Sequence, residues 1–342
     1  MISPETLIGE IVARHPGVEA VFAAHGLPCS GCHVSTRESV RGGAQVHHLD
    51  LDGLLSDLEK FVADGSVPPP RPRPGPGKTP PMERASKPGI SHVVAVMSGK
   101  GGVGKSLVTG LLAVALRRRG LSIGILDADI TGPSMARLFG VTARPYEGDD
   151  KKPHPPRSST GVQIMSMNLI LDSEAQAVIW RGPMVSGAIR QFFTDLEWGD
   201  VDYLLVDLPP GTSDAPLTVL QALPVSGVVL VSTPQGLATM IVSKAIKLVQ
   251  QLNAPIIGLV ENMAYFTDPQ SGRRFDLFGE SKGVQLVVES GAPLLAQLPI
   301  DPALTKLCDE GRIEEYQSAD YDVLAQNFLK VLPTLAAQPT KT

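Results

Sequence analysis

Gly99-Lys100-Gly101-Gly102-Val103-Gly104-Lys105-Ser106 decides the fold of this chain. It fits the pattern of a Gly, four residues, then Gly-Lys-Ser. Glycines let backbone N–H groups turn inward and cradle phosphate oxygens with no Cβ in the way. A helix that starts directly after such a loop points its positive end at the same phosphates. Lys105 is expected to neutralise the β- and γ-phosphates, and the Ser106 hydroxyl to ligate Mg²⁺.

The flanking sequence supplies the context that the loop needs. His92-Val93-Val94-Ala95-Val96-Met97 reads as a buried parallel strand. Ser106 to Arg119 carries Leu107, Leu111, Val114 and Ala115 at helical spacing, and Gly120 stops it. From Ser91 onward strands alternate with helices, which predicts an α/β fold: a doubly wound, mostly parallel sheet. Leu121 to Leu126 is a second strand, ending in Asp127-Ala128-Asp129. Carboxylates at the C-terminal end of a strand sit where such sheets bind ligands. At period two Asp127 and Asp129 share a face, one placed to hold Mg²⁺ through water and the other to orient an attacking water. The polar stretch of about 145–160 reads as a surface excursion, and Gly161 to Met167 as a returning strand. A helix is expected to end near Leu196.

Tyr203-Leu204-Leu205-Val206-Asp207 is an apolar strand that ends in a carboxylate. That is the Walker B arrangement, in which Asp207 accepts hydrogen bonds from Mg²⁺-bound water. Pro209-Pro210-Gly211 follows as a rigid loop near the γ-phosphate. Further strands are expected at Gly227–Ser232, at Ile256–Glu261 ending before Asn262-Met263, and at Leu294–Leu298. Helices are expected at Leu237–Leu252 and Asp320–Leu335.

Length and composition bound the rest. With 342 residues the chain holds one large domain and something smaller. A net charge of −5 gives no general field for nucleic acid. No apolar run approaches the roughly 20 residues of a membrane helix, so no membrane partner is expected. The start, Met1-Ile2-Ser3-Pro4-Glu5, does not read as a signal peptide, and three cysteines argue against a disulfide scaffold. A reducing cytoplasm is the expected compartment.

Residues 1–64 read as a small all-helical module. Leu7, Ile8, Ile11 and Val12 mark one helix, Val18 to His25 a second, and Leu49 to Val62 a third. Between the second and third lies Leu27-Pro28-Cys29-Ser30-Gly31-Cys32-His33. Four readings of that CxxC stay open. They are a redox pair, a metal or cluster ligand pair completed by another chain, a c-type haem attachment, and two buried structural thiols. Residues 65–89 form a Pro-rich basic linker, extended and semi-rigid. Residues 90–337 form the phosphate-binding domain.

Taken together, several motifs resemble one family. They are Asp127-Ala128-Asp129-Ile130, Gly132-Pro133-Ser134, Trp180-Arg181-Gly182-Pro183-Met184-Val185, Asp207-Leu208-Pro209-Pro210-Gly211-Thr212, Thr233-Pro234-Gln235 and Glu261-Asn262-Met263. Over about residues 90–335 the chain resembles the Mrp/ApbC family, dimeric ATPases that carry 4Fe–4S clusters to apo-proteins. Lys100, second in the loop, resembles the lysine of the deviant P-loop in the MinD/ParA/nitrogenase-iron-protein class. The resemblance implies that Gly99 to Ser106 bind ATP, that Lys100 acts across a homodimer, and that Asp129 positions water. It further implies that Asp207 serves Mg²⁺, that Asn262 contacts adenine, and that the partners are apo iron–sulfur clients. The N-terminal module resembles the small helical domain associated with hybrid-cluster proteins and named for a redox disulfide. Gly26-Leu27-Pro28-Cys29 and Cys32-His33 carry that likeness.

The chain departs from the family at one place. Many members carry CPxC after Asn-Met, and those cysteines bridge a cluster between subunits. Here the stretch is Phe266-Thr267-Asp268-Pro269-Gln270-Ser271-Gly272, with Asp268 and Ser271 where the cysteines would be. Cys29, Cys32 and Cys308 are the thiols left. Cys29 and Cys32, two per chain in a dimer, are the expected cluster or redox pair, and Cys308 is expected to be a small core residue. The alternative is a cluster-free or redox-gated regulatory ATPase of the MinD/ParA kind.

Overall fold

The computed structural model describes residues 2–25, 39–46, 49–68, 87–130, 132–170, 182–212 and 214–332. Cys29, Cys32 and the Trp180-Arg181 pair lie outside them. The chain divides into two compact units, Met1–Pro81 and Met82–Thr342.

The first unit holds α1 (Ile8–Arg14), α2 (Glu19–Ala24), α3 (Val40–Val46) and α4 (Leu51–Asp64). Ile8, Ile11, Val21, Phe22, Leu54 and Leu58 are buried together. Asp50 caps α4 by accepting from Gly53 N at 3.2 Å, and Gly65 closes it in the left-handed conformation. His25 Nε2 and Asp57 Oδ2, 3.0 Å apart and both buried, tie α2 to α4. The α3 helix is not legible in the sequence. Gly42 and Gly43 sit inside it, each weakening helix by about 1 kcal/mol. Backbone bonds from Val40 N to Thr6 O and from Arg41 N to Pro4 O hold its start in place.

The second unit opens with β1 (Ile90–Ser98), α5 (Lys105–Arg117), β2 (Ile123–Asp127) and α6 (Met135–Leu138). A small antiparallel hairpin follows, β3 (Tyr146–Glu147) with β4 (Pro153–His154), inside the surface excursion. Next come β5 (Gln163–Met165), α7 (Gly182–Thr194), β6 (Val201–Asp207) and α8 (Asp214–Ala222). The chain continues through β7 (Gly227–Ser232), α9 (Gly236–Gln251), β8 (Ile256–Thr267), β9 (Arg274–Phe275) and α10 (Gly283–Ser290). β10 (Leu294–Ile300), α11 (Pro302–Asp309) and α12 (Ala319–Val331) complete it.

The sheet runs β10-β8-β7-β1-β6-β2-β5, with β9 antiparallel on β8 and every other pairing parallel. Helices cover both faces, as a doubly wound sheet requires. Alternate residues of β1 show it. Val94 and Val96 pack with Leu111, Leu112, Leu324 and Phe328 on one side. Val93, Ala95 and Met97 pack with Ile189, Phe193, Val242 and Ile246 on the other.

Glycine makes room at one point in β2. A Cβ on Gly124 would stand 2.8 Å from Leu204 Cδ1 and 3.1 Å from Trp198 Cε3. The buried Trp198 ring fills that space, and its Nε1 donates to Phe192 O at 3.1 Å.

One strand is longer than the sequence predicts. β8 does not stop before Asn262 but runs on to Thr267. Pairing of Tyr265 and Phe266 with Pro299 and Ile300 carries it forward, and β9 adds a partner at Phe266 and Thr267. Met263 has φ +53, a local break in an otherwise continuous strand.

Candidate functional site

The loop between β1 and α5 is shaped by its glycines. Gly102 and Gly104 have φ of +80 and +79, a region that L side chains rarely adopt. A Cβ on Gly104 would also stand 2.2 Å from Asn262 Nδ2. Gly104 is the N-cap residue of α5, so the helix begins directly against the loop. Val103, 1% exposed, anchors the loop from below. Asn262 Nδ2 donates to Val103 O at 2.9 Å.

Beneath the loop lies a charge cluster. Lys105 Nζ is 2.6 Å from Asp207 Oδ1. Ser106 Oγ donates to Asp207 Oδ2 at 2.6 Å, and Lys105 Nζ is 3.2 Å from Ser106 Oγ. Thr109 Oγ1, one turn further along α5, is 2.9 Å from Asp207 Oδ1 and 3.0 Å from Lys105 O. Asp207 is fully buried and Lys105 is 6% exposed. Both charges are therefore out of water and each depends on the other. Thr109 belongs to no motif of the sequence. Its spacing of four from Lys105 was the available signal, since i and i+4 share a helix face.

Strand register aligns a second carboxylate. Asp127 of β2 pairs in register with Asp207 of β6. Its Oδ2 accepts from Ser134 N at 2.9 Å, Met135 N at 3.0 Å and Ser166 Oγ at 3.0 Å. Its Oδ1 accepts from Asp129 N at 3.2 Å. Burial, followed by the charge of Asp207, pushes its carboxyl up to about 7. The expectation that Asp127 serves Mg²⁺ thus meets a carboxylate already engaged by four donors of its own chain. Through these bonds Asp127 holds Asp129, Ser134 and the start of α6. Gly132 N donates to Asp129 O at 3.2 Å.

The Pro209-Pro210-Gly211 loop closes against the phosphate loop. Leu208 N donates to Val96 O at 3.1 Å, and Gly211 N to Ser98 O at 3.0 Å. A Cβ on Gly101 would reach Pro210 at 4.0 Å, ordinary contact. Lys100 Nζ donates to Gln235 Oε1 at 2.9 Å. Lys100, Lys105, Ser106, Asp127, Asp129 and Asp207 are thus gathered at the C-terminal ends of β1, β2 and β6, where the strand order reverses.

The Asn262 side chain lies against the phosphate loop. It is 1% exposed and braces the loop from within. Glu261, next to it, is also buried and accepts from Ser281 Oγ at 2.6 Å, Lys282 N at 2.8 Å and Gln297 Nε2 at 2.8 Å. It thereby pins the start of α10, a role that its position at a strand end did not announce.

Asp268 and Ser271 lie on the exposed turn between β8 and β9. Ser271 Oγ donates to Asp268 Oδ2, and Gln270 N donates to Asp268 Oδ1 at 3.0 Å. The turn is satisfied by its own atoms. Arg274 stacks over the Tyr265 ring at 3.9 Å, next to it. Cys308 on α11 is half-buried against the core, and burial pushes its thiol up to about 11.

Comparison with known proteins agrees with this geometry. A family model described as NUBPL iron-transfer P-loop NTPase matches residues 89–335. A second, described as a domain of unknown function, matches residues 2–55. The iron-sulfur cluster carrier protein of Clostridium perfringens is 45% identical over 234 residues, 66% of this chain and 82% of that protein. The cytosolic Fe-S cluster assembly factor CFD1 of Kluyveromyces lactis is 40% identical over 228 residues, 65% of this chain and 81% of that one. A nucleotide-binding protein from Archaeoglobus fulgidus, solved in complex with ADP, superposes with a TM-score of 0.61 at 44% identity. That match covers 68% of this chain and 90% of the other. The cell division ATPase MinD of Pyrococcus furiosus, at 22% identity and a TM-score of 0.52, shares the fold over 70% of this chain and 99% of its own. The chain belongs to the NUBPL family of iron-transfer P-loop NTPases.

Proposed function

We propose that this chain binds and slowly hydrolyses ATP with Mg²⁺ as a homodimer, and delivers 4Fe–4S clusters to apo-proteins. The observation that carries the nucleotide half is the Lys105–Ser106–Asp207 cluster under a glycine loop. The names of relatives that match over most of their length support the cluster half.

The residues present fit Mg²⁺. The Ser106 hydroxyl and an Asp207 carboxylate oxygen, 2.6 Å apart, are hard oxygen donors at one point. Once bound there, the ion supplies charge to the β- and γ-phosphate oxygens. Lys105 exchanges its carboxylate partner for phosphate, and Asp207 is compensated in turn. Asp129, whose backbone N–H donates to Asp127, orients the attacking water. Lys100 reaches a phosphate of the second copy. Asn262 acts on the nucleotide through the loop it braces, with the adenine contact as its further assignment. Hydrolysis serves switching, so turnover is slow.

Cys29 and Cys32 are the thiols proposed to hold the cluster cargo. The turn of Asp268 and Ser271 is engaged with itself, and the Cys308 thiol is half-buried. Four cysteines from two chains suffice for one 4Fe–4S cluster. The experiment is iron and acid-labile sulfide per chain after anaerobic reconstitution, for wild type beside Cys29→Ser/Cys32→Ser. Cluster in wild type alone is the expected result. No cluster in either favours the second reading, a regulatory ATPase without a cluster, which the absence of thiols at 268 and 271 supports.

A further inference from the structure

The phosphate loop touches α9 at two points. One is the bond from Lys100 Nζ to Gln235 Oε1 at 2.9 Å. The other is backbone packing: a Cβ on Gly99 would stand 2.8 Å from the Ile241 carbonyl carbon and 2.9 Å from its oxygen. Gln235 is the N-cap residue of α9, yet its side chain makes no cap bond to that helix. Its amide oxygen is turned to Lys100 instead. Two consecutive loop residues are therefore joined to the first and second turns of one helix.

We propose that Gln235 is the positioning residue of Lys100, and that the pair is a latch through which the phosphate loop and α9 share one state. The proposal rests on the reading above, in which Lys100 reaches the nucleotide of a second copy. The bond at 2.9 Å directs the Lys100 ammonium to its own chain, and in the proposed open state the side chain swings off the Gln235 oxygen to reach a phosphate of another chain. The latch must open first. Its strength subtracts from dimer formation, because a competent state that is only fractionally populated binds more weakly by that fraction. Opening also frees the N-cap of α9 from the loop, so the helix start reports whether Lys100 is engaged at home or abroad.

The sign of the effect separates a latch from a merely structural contact. Gln235→Ala removes the acceptor and favours the open state. Gln235→Glu offers a carboxylate, and charge-assisted bonds of this kind are roughly twice as strong as neutral ones. It favours the closed state. A hydrogen bond to a charged group is worth about tenfold in an equilibrium.

The test uses the full chain and follows ATP hydrolysis against protein concentration, with the ATP Kd measured in parallel. Wild type, Gln235→Ala and Gln235→Glu are compared, each also in a Lys100→Ala background. The expected result is a hydrolysis midpoint that moves about three- to tenfold to lower protein concentration for Ala and to higher for Glu. The ATP Kd stays within about twofold, since among the described residues no hydrogen bond joins Gln235 to Lys105, Ser106 or Asp207. In the Lys100→Ala background, where dimerisation with ATP is read by sedimentation equilibrium instead of hydrolysis, the two variants coincide. Shifts in the same direction for Ala and Glu, or a difference that survives Lys100→Ala, would overturn the latch. A wild-type chain that binds no ATP would overturn the nucleotide reading and the latch with it. Normal binding with variants that move together overturns the latch alone.

Discussion

The Lys105 ammonium lies 2.6 Å from Asp207 Oδ1, and neither side chain is more than 6% exposed. A triphosphate that takes the lysine leaves the carboxylate facing it. Only a cation at Asp207 restores the balance. ATP affinity is therefore expected to fall by at least about a hundredfold in EDTA, since an unpaired buried charge costs about 3–5 kcal/mol. Titration calorimetry with and without Mg²⁺ reads this directly. Affinities within threefold of each other would contradict the exchange.

The same pair predicts a cost to the fold itself. Lys105→Ala leaves Asp207 buried with only the Ser106 and Thr109 hydroxyls. It should lower unfolding stability by about 3–5 kcal/mol and abolish ATP binding. Lys105→Met/Asp207→Leu removes both charges and should recover much of the stability and none of the binding. Urea unfolding of the three chains is the check. A Lys105→Ala chain as stable as wild type would show that the pair contributes nothing to the fold.

Asp127 makes stability depend on pH. Its folded carboxyl is raised from 3.8 to about 7. Between those values the folded chain holds a proton that the unfolded chain has released. This contribution is therefore full below pH 3.8 and is lost as pH rises toward 7. Asp127→Asn cannot titrate, and its amide N–H faces donors, which costs about 1–3 kcal/mol. The deficit of Asp127→Asn against wild type should be largest near pH 4 and should narrow toward pH 7. Thermal melts of both chains across that range decide it, and a constant gap would refute the raised carboxyl.

Cys308 should be chemically quiet. A thiol pushed up to about 11 carries little thiolate at neutral pH. Iodoacetamide at pH 8 is expected to alkylate it about a hundredfold more slowly than a free thiol. Mass spectrometry of the native chain over time measures this. Cys308→Ala should keep full iron loading, and loss of iron in that variant would move Cys308 into the cargo site.

Much of the site was readable because its parts are local. Gly99 to Ser106 is one contiguous stretch, and Asp207 ends a plainly apolar strand. Asp127 and Asp129 announce themselves by type and place. What could not be read is how these parts spend their bonds on one another. Asp127 looks like an open ligand until register sets it beside Asp207 and α6 begins on its oxygen. Asn262 looks like the end of a strand, but β8 runs on because β10 and β9 continue to pair with it. Gln235 is legible as part of Thr233-Pro234-Gln235 but not as the partner of Lys100, which lies 135 residues away. The α3 helix is masked by its two glycines, whose low propensity is overridden by tertiary contacts.

Trp198 and Gly124 carry a consequence for how this sequence can change over time. Enlarging Gly124 drives a carbon to within 3.1 Å of the indole and 2.8 Å of Leu204. Overpacking of that kind costs about 1–3 kcal/mol. Shrinking Trp198 first leaves a hole, at about 3–5 kcal/mol for a large aromatic. Each single step lowers stability, and the two losses are coupled because the added carbon and the indole compete for one space. A lineage that changes one position changes the constraint on the other, and a double-mutant cycle on melting would measure the coupling.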